Sequence, residues 1–150
     1  MKLEDEIKQV KAFGSQYSKA IVNLIYTFNW FDASSKIFFQ EYDITSQQFN
    51  ILRILKGQHP KPSTINLLKE RMLDKMCDAS RLVERLRIKG LVERSKASTD
   101  KRAVDILITE KGEQLLSKIA LKFHVFEAKF KTLSEEEVTE FNKLLDKLRG

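Results

Sequence analysis

The side chains whose type and spacing point to chemistry are arginines, lysines and hydroxyls, and the chemistry is recognition of phosphates and base edges. Ser80, Arg81 and Arg85 share one stretch of helical pattern, with Lys75 and Asp78 flanking them. A guanidinium can grip a guanine edge through two parallel hydrogen bonds, and a serine hydroxyl can reach a base or a phosphate. Further along, Lys96, Ser98, Lys101 and Arg102 crowd the polar run KASTDKR, with Asp100 among them. There Arg102 suits a narrow minor groove, Lys96, Ser98 and Lys101 suit phosphates, and Asp100 suits orienting Arg102 or capping the turn. Ser63 and Thr64 open another helix, where backbone N–H groups and hydroxyls suit a phosphate oxygen. The competing reading pairs Arg81 and Arg85 with Asp78 or Glu84 on a solvated face, and leaves KASTDKR an exposed turn.

Other chemistries find no support. His59 and His124 stand apart from each other and from acids at ligand spacing, so no metal site is legible. No nucleophile–base pair or phosphate-cradling glycine loop occurs, which argues against an enzyme and against a cofactor. Cys77 admits a redox switch, with a helix N-terminus and Lys75 lowering its pKa, but an inert small hydrophobe is the favoured reading.

The elements that position these residues follow from periodicity. Met76, Ala79, Leu82, Val83 and Leu86 recur on one face, which predicts an amphipathic helix from Lys75 to Lys89. Asp74, or Lys75 itself, would be its N-cap, and Gly90 would stop it in a left-handed conformation. Leu91–Ser95 and Ala103–Ile108 then read as two strands, the second alternating through Val104, Ile106 and Ile108. A helix followed by a hairpin with a cationic tip is the outline of a winged helix-turn-helix, which places its helix in the major groove and its wing against phosphates or in the minor groove.

Around this outline the pattern is helical. Residues 2–12 predict a short helix carrying Leu3, Ile7 and Val10, and Gln16 to Glu41 a long one rich in aromatics. The apolar surface of that long helix is too wide for one seam, so it calls for cover from the chain's own core or a second subunit. Thr45 or Ser46 caps a helix from Gln47 to Lys56, and GQHPKPS is a loop. Ser63 is read as the cap of a helix from Thr64 to Met72. Thr109 caps one from Glu110 to about Lys131, with His124 at a helix–helix interface. Ser134 and Glu137 form a capping box for the last helix, to about Leu148.

Composition bounds the class. The chain has 150 residues, 42% of them hydrophobic and 32% charged, within the range of soluble globular proteins. One cysteine allows no internal disulfide, the N-terminus MKLEDEIKQVK carries acids and no continuous apolar run and so does not read as a signal peptide, and no run nears a membrane span. A soluble, cytoplasmic protein with no membrane partner is expected. The charge is localised: residues 61–103 hold twelve bases and six acids, an excess equal to the whole chain's net +6. The remainder is neutral, so this one region carries the electrostatic footprint of a phosphate-binding surface.

The runs SQQFNILRIL and LLKERMLDKMCDASRLVERLRIKGLVERSKASTDKRAVDILITEKGEQLL resemble the MarR family of bacterial transcription regulators. The most specific features are a recognition helix ending in Gly90-Leu91-Val92, a wing with Asp100-x-Arg102, and the closing ILITEKG. The resemblance implies a mainly α fold, with a winged helix-turn-helix and two-stranded wing at 45–109. Dimerisation helices at 1–44 and 110–150 flank it, in one domain spanning 1–150. It implies a homodimer on double-stranded DNA, acting as repressor or activator at a pseudo-palindromic operator, with release by a small aromatic effector. The alternative is a winged-helix protein–protein adaptor, against which the localised positive charge argues. Peroxide-sensing members carry a cysteine in the N-terminal helical region, and this chain has none there.

Overall fold

The computed structural model describes residues 2–96 and 104–150. It is mainly helical with one two-stranded antiparallel sheet. Among the described residues no helix is long and apolar enough to cross a membrane. The chain divides into two compact units, residues 1–46 and 47–150.

The first unit holds α1 (Leu3–Glu6) and α2 (Gln16–Gln40). The helix expected over residues 2–12 is thus only one turn. Lys8 adopts a positive φ of 52°, which ends helical propagation, and Val10 is exposed rather than aligned with Leu3. Glu4 and Lys19 join α1 to α2 in a 2.5 Å ion pair, and the Ser15 hydroxyl caps α2 by accepting the Ser18 N–H at 3.1 Å. At the far end of α2, Phe38 packs edge-on to Phe39 and lies 5.4 Å from the Tyr42 ring. Tyr17, Ile21, Leu24, Ile25, Phe28, Trp30 and Ile37 remain exposed along the helix.

The second unit opens with α3 (Ser46–Gln58), followed by α4 (Ile65–Arg71) and α5 (Ala79–Ile88). Strands β1 (Val92–Lys96) and β2 (Val104–Ile108) then precede α6 (Glu110–Lys122), α7 (His124–Glu127), a 3-10 turn (Ala128–Phe130) and α8 (Glu135–Arg149). Ile51, Leu52, Leu68, Met72, Val83, Leu86, Val92, Ile106 and Ile119 are its fully buried centre. Helix α5 contributes Ala79, Val83 and Leu86, spaced four and three residues apart, so one face enters the core while the opposite face is free for charge.

Gly90 ends α5 as its sequence position predicts, with φ 71°. Its N–H bonds the Arg87 carbonyl at 2.9 Å and the Leu91 N–H bonds the Leu86 carbonyl at 3.0 Å, the paired bonds of a Schellman motif. The chain thereby reverses into β1. The strands pair from Val92 opposite Ile108 to Lys96 opposite Val104. On the other edge of β2, Ser63 exchanges both backbone bonds with Ile106, at 2.9 and 2.8 Å.

A single residue sets how closely α6 seats on the hairpin root. A Cβ on Gly112 would fall 2.4 Å from the Leu91 carbonyl oxygen and 2.7 Å from Ile108 Cγ1, so only glycine fits. Around it the Thr109 hydroxyl donates to the Gly90 carbonyl at 2.7 Å and accepts from the Gly112 N–H. Lys111 Nζ donates to the Lys89 carbonyl at 2.7 Å. The end of α5, the end of β2 and the start of α6 are stapled together.

The helix expected to run unbroken to Lys131 breaks at Phe123 instead. That ring stacks on Phe49 at 5.9 Å and meets Phe126 at 5.4 Å, while His124 turns its Nδ1 to the Leu121 carbonyl. Packing the aromatic cluster outweighs helical continuity here. His124 is exposed in the single chain. Helix α8 starts with both halves of the expected capping box, Ser134 accepting from the Glu137 N–H and Glu137 accepting from the Ser134 N–H.

Candidate nucleic-acid interface

Helix α5 begins at Ala79, four residues later than the periodicity suggests. The true cap is Asp78, whose carboxylate accepts the Arg81 N–H at 3.1 Å. Asp74 caps the turn before it, accepting the Met76 N–H at 2.9 Å. This shift corrects several readings at once. Met76 lies outside the helix and is 94% exposed, not part of the apolar face. Lys75 sits in the turn with its ammonium on the Glu70 carbonyl at 2.5 Å. Asp78 serves the helix end, where a carboxylate also meets the positive pole of the helix dipole.

Ser80, Arg81 and Arg85 all lie exposed on α5. No ion pair joins Arg81 or Arg85 to Asp78 or Glu84; Glu84 is engaged elsewhere. It takes Arg87 in a fork, with contacts of 3.0 and 2.8 Å, and Arg94 of β1 at 3.4 Å. The Arg87 hydrogen bonds hold the Glu84 carboxyl below its ordinary pKa, and Glu84 in turn raises Arg87. The i,i+3 spacing of Glu84 and Arg87 is the one signal in the sequence that could have found half of this cluster, which the sequence reading missed. Arg94 joins only because β1 folds back beside α5. The outcome sorts the arginines into a fixed pair, Arg87 and Arg94, and an outward pair, Arg81 and Arg85.

At α4 the expected roles exchange. Thr64 is the cap, accepting the Leu67 N–H at 3.2 Å. Ser63 is fully buried, committed through its backbone to β2, and its hydroxyl finds no hydrogen-bond partner among the described residues. It cannot present that hydroxyl to DNA. Thr64 stays half-buried at the helix entrance.

Cys77 is half-buried beside the start of α5. Burial pushes its thiol pKa up and Asp74 adds to the rise, opposite to the depression a thiolate switch requires. On the wing, Lys96 ends β1 opposite Val104. Ser98, Asp100, Lys101 and Arg102 lie outside the described residues. Among the described residues no cluster of His, Cys, Asp or Glu could hold a metal ion.

A helix in the order expected of a reading head, an adjoining two-stranded wing and flanking helices also characterise known proteins. The MarR family model matches residues 44–104. The transcriptional regulator MgrA of Staphylococcus aureus is 31% identical over 115 residues, covering 77% of this chain and 76% of that protein. BilQ of Clostridium symbiosum is 38% identical over 71 residues, about half of each chain. Among solved structures, Escherichia coli MarR in its apo form aligns with a TM-score of 0.66 at 27% identity, over 84% of this chain and 94% of that one. A MarR-like regulator from Bacillus cereus shares the fold at TM-score 0.80 and 20% identity, over 91% and 97% of the two chains. The extent of the match to MgrA, together with the family model over residues 44–104, identifies the chain as a member of the MarR family of helix-turn-helix transcription regulators, which are not enzymes.

Proposed function

We propose that the chain acts as a homodimeric, sequence-specific DNA-binding regulator, each copy reading one half-site of a pseudo-palindromic operator. The reading rests chiefly on one observation: α5 holds Ser80, Arg81 and Arg85 exposed, and among the described residues no acid forms an ion pair with Arg81 or Arg85. Glu84 meanwhile is saturated by Arg87 and Arg94. A helix inserted N-terminus first brings Ser80 and Arg81 to base edges and leaves Arg85 beside them. Thr64, at the entrance of α4, meets a phosphate. Arg102 enters the minor groove with Asp100 orienting its guanidinium, and Lys96, Ser98 and Lys101 meet phosphates. The family's DNA-binding role supports this arrangement, as does the structure of Staphylococcus aureus MepR with DNA, which shares the fold at TM-score 0.72. An aromatic effector that weakens operator binding belongs to the same proposal. The organohalide-sensing regulator RdhR, of the same fold, has been solved in a form with 2,4-dichlorophenol bound.

Selection of bound sequences from a random duplex pool at near-physiological salt tests the proposal. The expected product is a pair of inverted half-sites bound far more tightly than bulk DNA. Uniform, purely salt-dependent binding would reduce the protein to a phosphate binder, and no DNA binding at all would favour the adaptor reading.

A further inference from the structure

The turn between α4 and α5 projects two large apolar side chains into solvent, Leu73 at 87% and Met76 at 94% exposure. Their backbones are anchored. The Leu73 N–H donates to Asn50 Oδ1 of α3 at 2.9 Å, and the Met76 N–H donates to Asp74 Oδ1 at 2.9 Å. Asp74 is held in turn by Gln47 Nε2 at 3.5 Å, and Lys75 is tied back to the Glu70 carbonyl. Met72, between them and α4, is buried and roots the turn in the core. Thus an apolar knob is held out by bonds from α3 and from the turn itself. It immediately precedes the capped start of α5, where Asp78, Ser80 and Arg81 stand.

We propose that Met76, supported by Leu73, is a specificity-determining contact that packs on the C5-methyl groups of thymines in the operator. The inference rests on the reading of α5 as the DNA-recognition helix. The apolar pair stands at the leading end of a major-groove helix, between the exposed Arg71 and Arg81 in the chain, and the apolar group that the major-groove floor offers is the thymine methyl. Continuity with the α5 face and the basic charge of residues 61–103 favour DNA over a protein as occupant. The thioether of methionine is long and adaptable enough to follow a methyl whose depth varies with local groove shape.

The test uses the full-length protein and duplexes carrying its selected operator, with deoxyuridine replacing thymine one position at a time. Wild type should lose about fourfold in affinity at one or two positions per half-site, the factor expected for one buried methyl group. Met76→Ala should bind the thymine operator more weakly by a similar factor and become indifferent to deoxyuridine at those positions. Leu73→Ala should show a smaller loss. Thermal unfolding should be unchanged in both variants, since the side chains are exposed. Loss of affinity in Met76→Ala that persists equally on deoxyuridine DNA would overturn the proposal, as would unchanged affinity or a change in oligomeric state. If the selection returns no operator, the DNA-reading role of α5 fails first and this contact falls with it. A selected operator whose recognition is insensitive to Met76 refutes this contact alone.

Discussion

Arg81 and Arg85 differ from Arg87 and Arg94 by what surrounds them, not by residue type. Glu84 fixes the latter two in ion pairs, so their charge supports the local fold and adds a diffuse positive field. Arg81 carries the base-reading prediction. Arg81→Ala should weaken operator binding by roughly 1–3 kcal/mol and flatten the preference at one position of each half-site. Titrations on operator and random duplexes decide it; equal losses on both would assign Arg81 to phosphate. Ser63 gives the opposite prediction. Its hydroxyl is buried and has no partner among the described residues, and its backbone makes the bridge to β2. Ser63→Ala should therefore leave DNA affinity unchanged and keep or slightly raise the melting temperature, because an unsatisfied buried hydroxyl costs about 1–3 kcal/mol. A clear drop in affinity would restore a DNA contact for this residue. The exposed cations were legible in the sequence because charge on an apolar-backed helix must face outward. Ser63 misled because Ser-Thr at a helix entrance offers two capping hydroxyls, and only the third strand-like bridge to Ile106 decides between them.

Helix α5 shows the limits of periodicity at the level of elements. Its apolar repeat extends backward through Met76, but Asp74 and Asp78 each capture a backbone N–H, and two successive caps turn the chain before the helix can start. Its C-terminus was easier, since Gly90 is a residue whose conformation alone stops a helix. The ILITEKG segment carries a sharper constraint than its wing-closing role suggests. Gly112→Ala would drive a methyl into the Leu91 carbonyl and Ile108, and overpacking of this kind costs about 1–3 kcal/mol or more. Chemical denaturation should show that loss, with the wing displaced from α5 and DNA affinity reduced beyond what stability explains. Normal stability would mean that α6 slides aside freely. A second tie links α3 to α6, the 2.8 Å ion pair of Lys56 and Glu113. The hydrogen bond from Lys56 holds the Glu113 carboxyl below its ordinary value of 4.5, and the positive field of His59 adds to this. Glu84 is lowered in the same direction. A carboxylate depressed in the folded state stabilises above the unfolded pKa and loses that contribution as pH falls through the folded one. The melting temperature should accordingly be flat around neutrality and decline below about pH 5, with the decline reduced in Glu113→Gln. An identical acid profile in that variant would remove Glu113 as a source of the acid sensitivity.

At the scale of the whole molecule, the sequence exposed the charge distribution directly but not the fate of its apolar faces. Helical periodicity states which residues share a face and is silent on whether that face meets the chain's own core or another chain. Helix α2 leaves Tyr17, Ile21, Leu24, Ile25, Phe28, Trp30 and Ile37 exposed, and α8 leaves Phe141, Leu144 and Leu148 exposed. Single exposed apolar residues need no explanation, but successive ones along two helices do. Suppose each such exposed side chain contributes about 1 kcal/mol when covered. Two copies contributing both helices then exceed the roughly 4–15 kcal/mol lost in association. The chain should be dimeric at micromolar concentration by sedimentation equilibrium. Leu144→Glu places a charge on the α8 face at a residue that is itself exposed. It should dissociate the dimer while far-ultraviolet dichroism stays helical, and the monomer should bind a single half-site with far lower apparent affinity than the dimer binds two. Truncation after Lys131 removes α8 and should lose dimer and stability together. A Leu144→Glu variant that stays dimeric would take α8 out of the interface, and a wild-type monomer would leave the two-half-site operator without its structural basis.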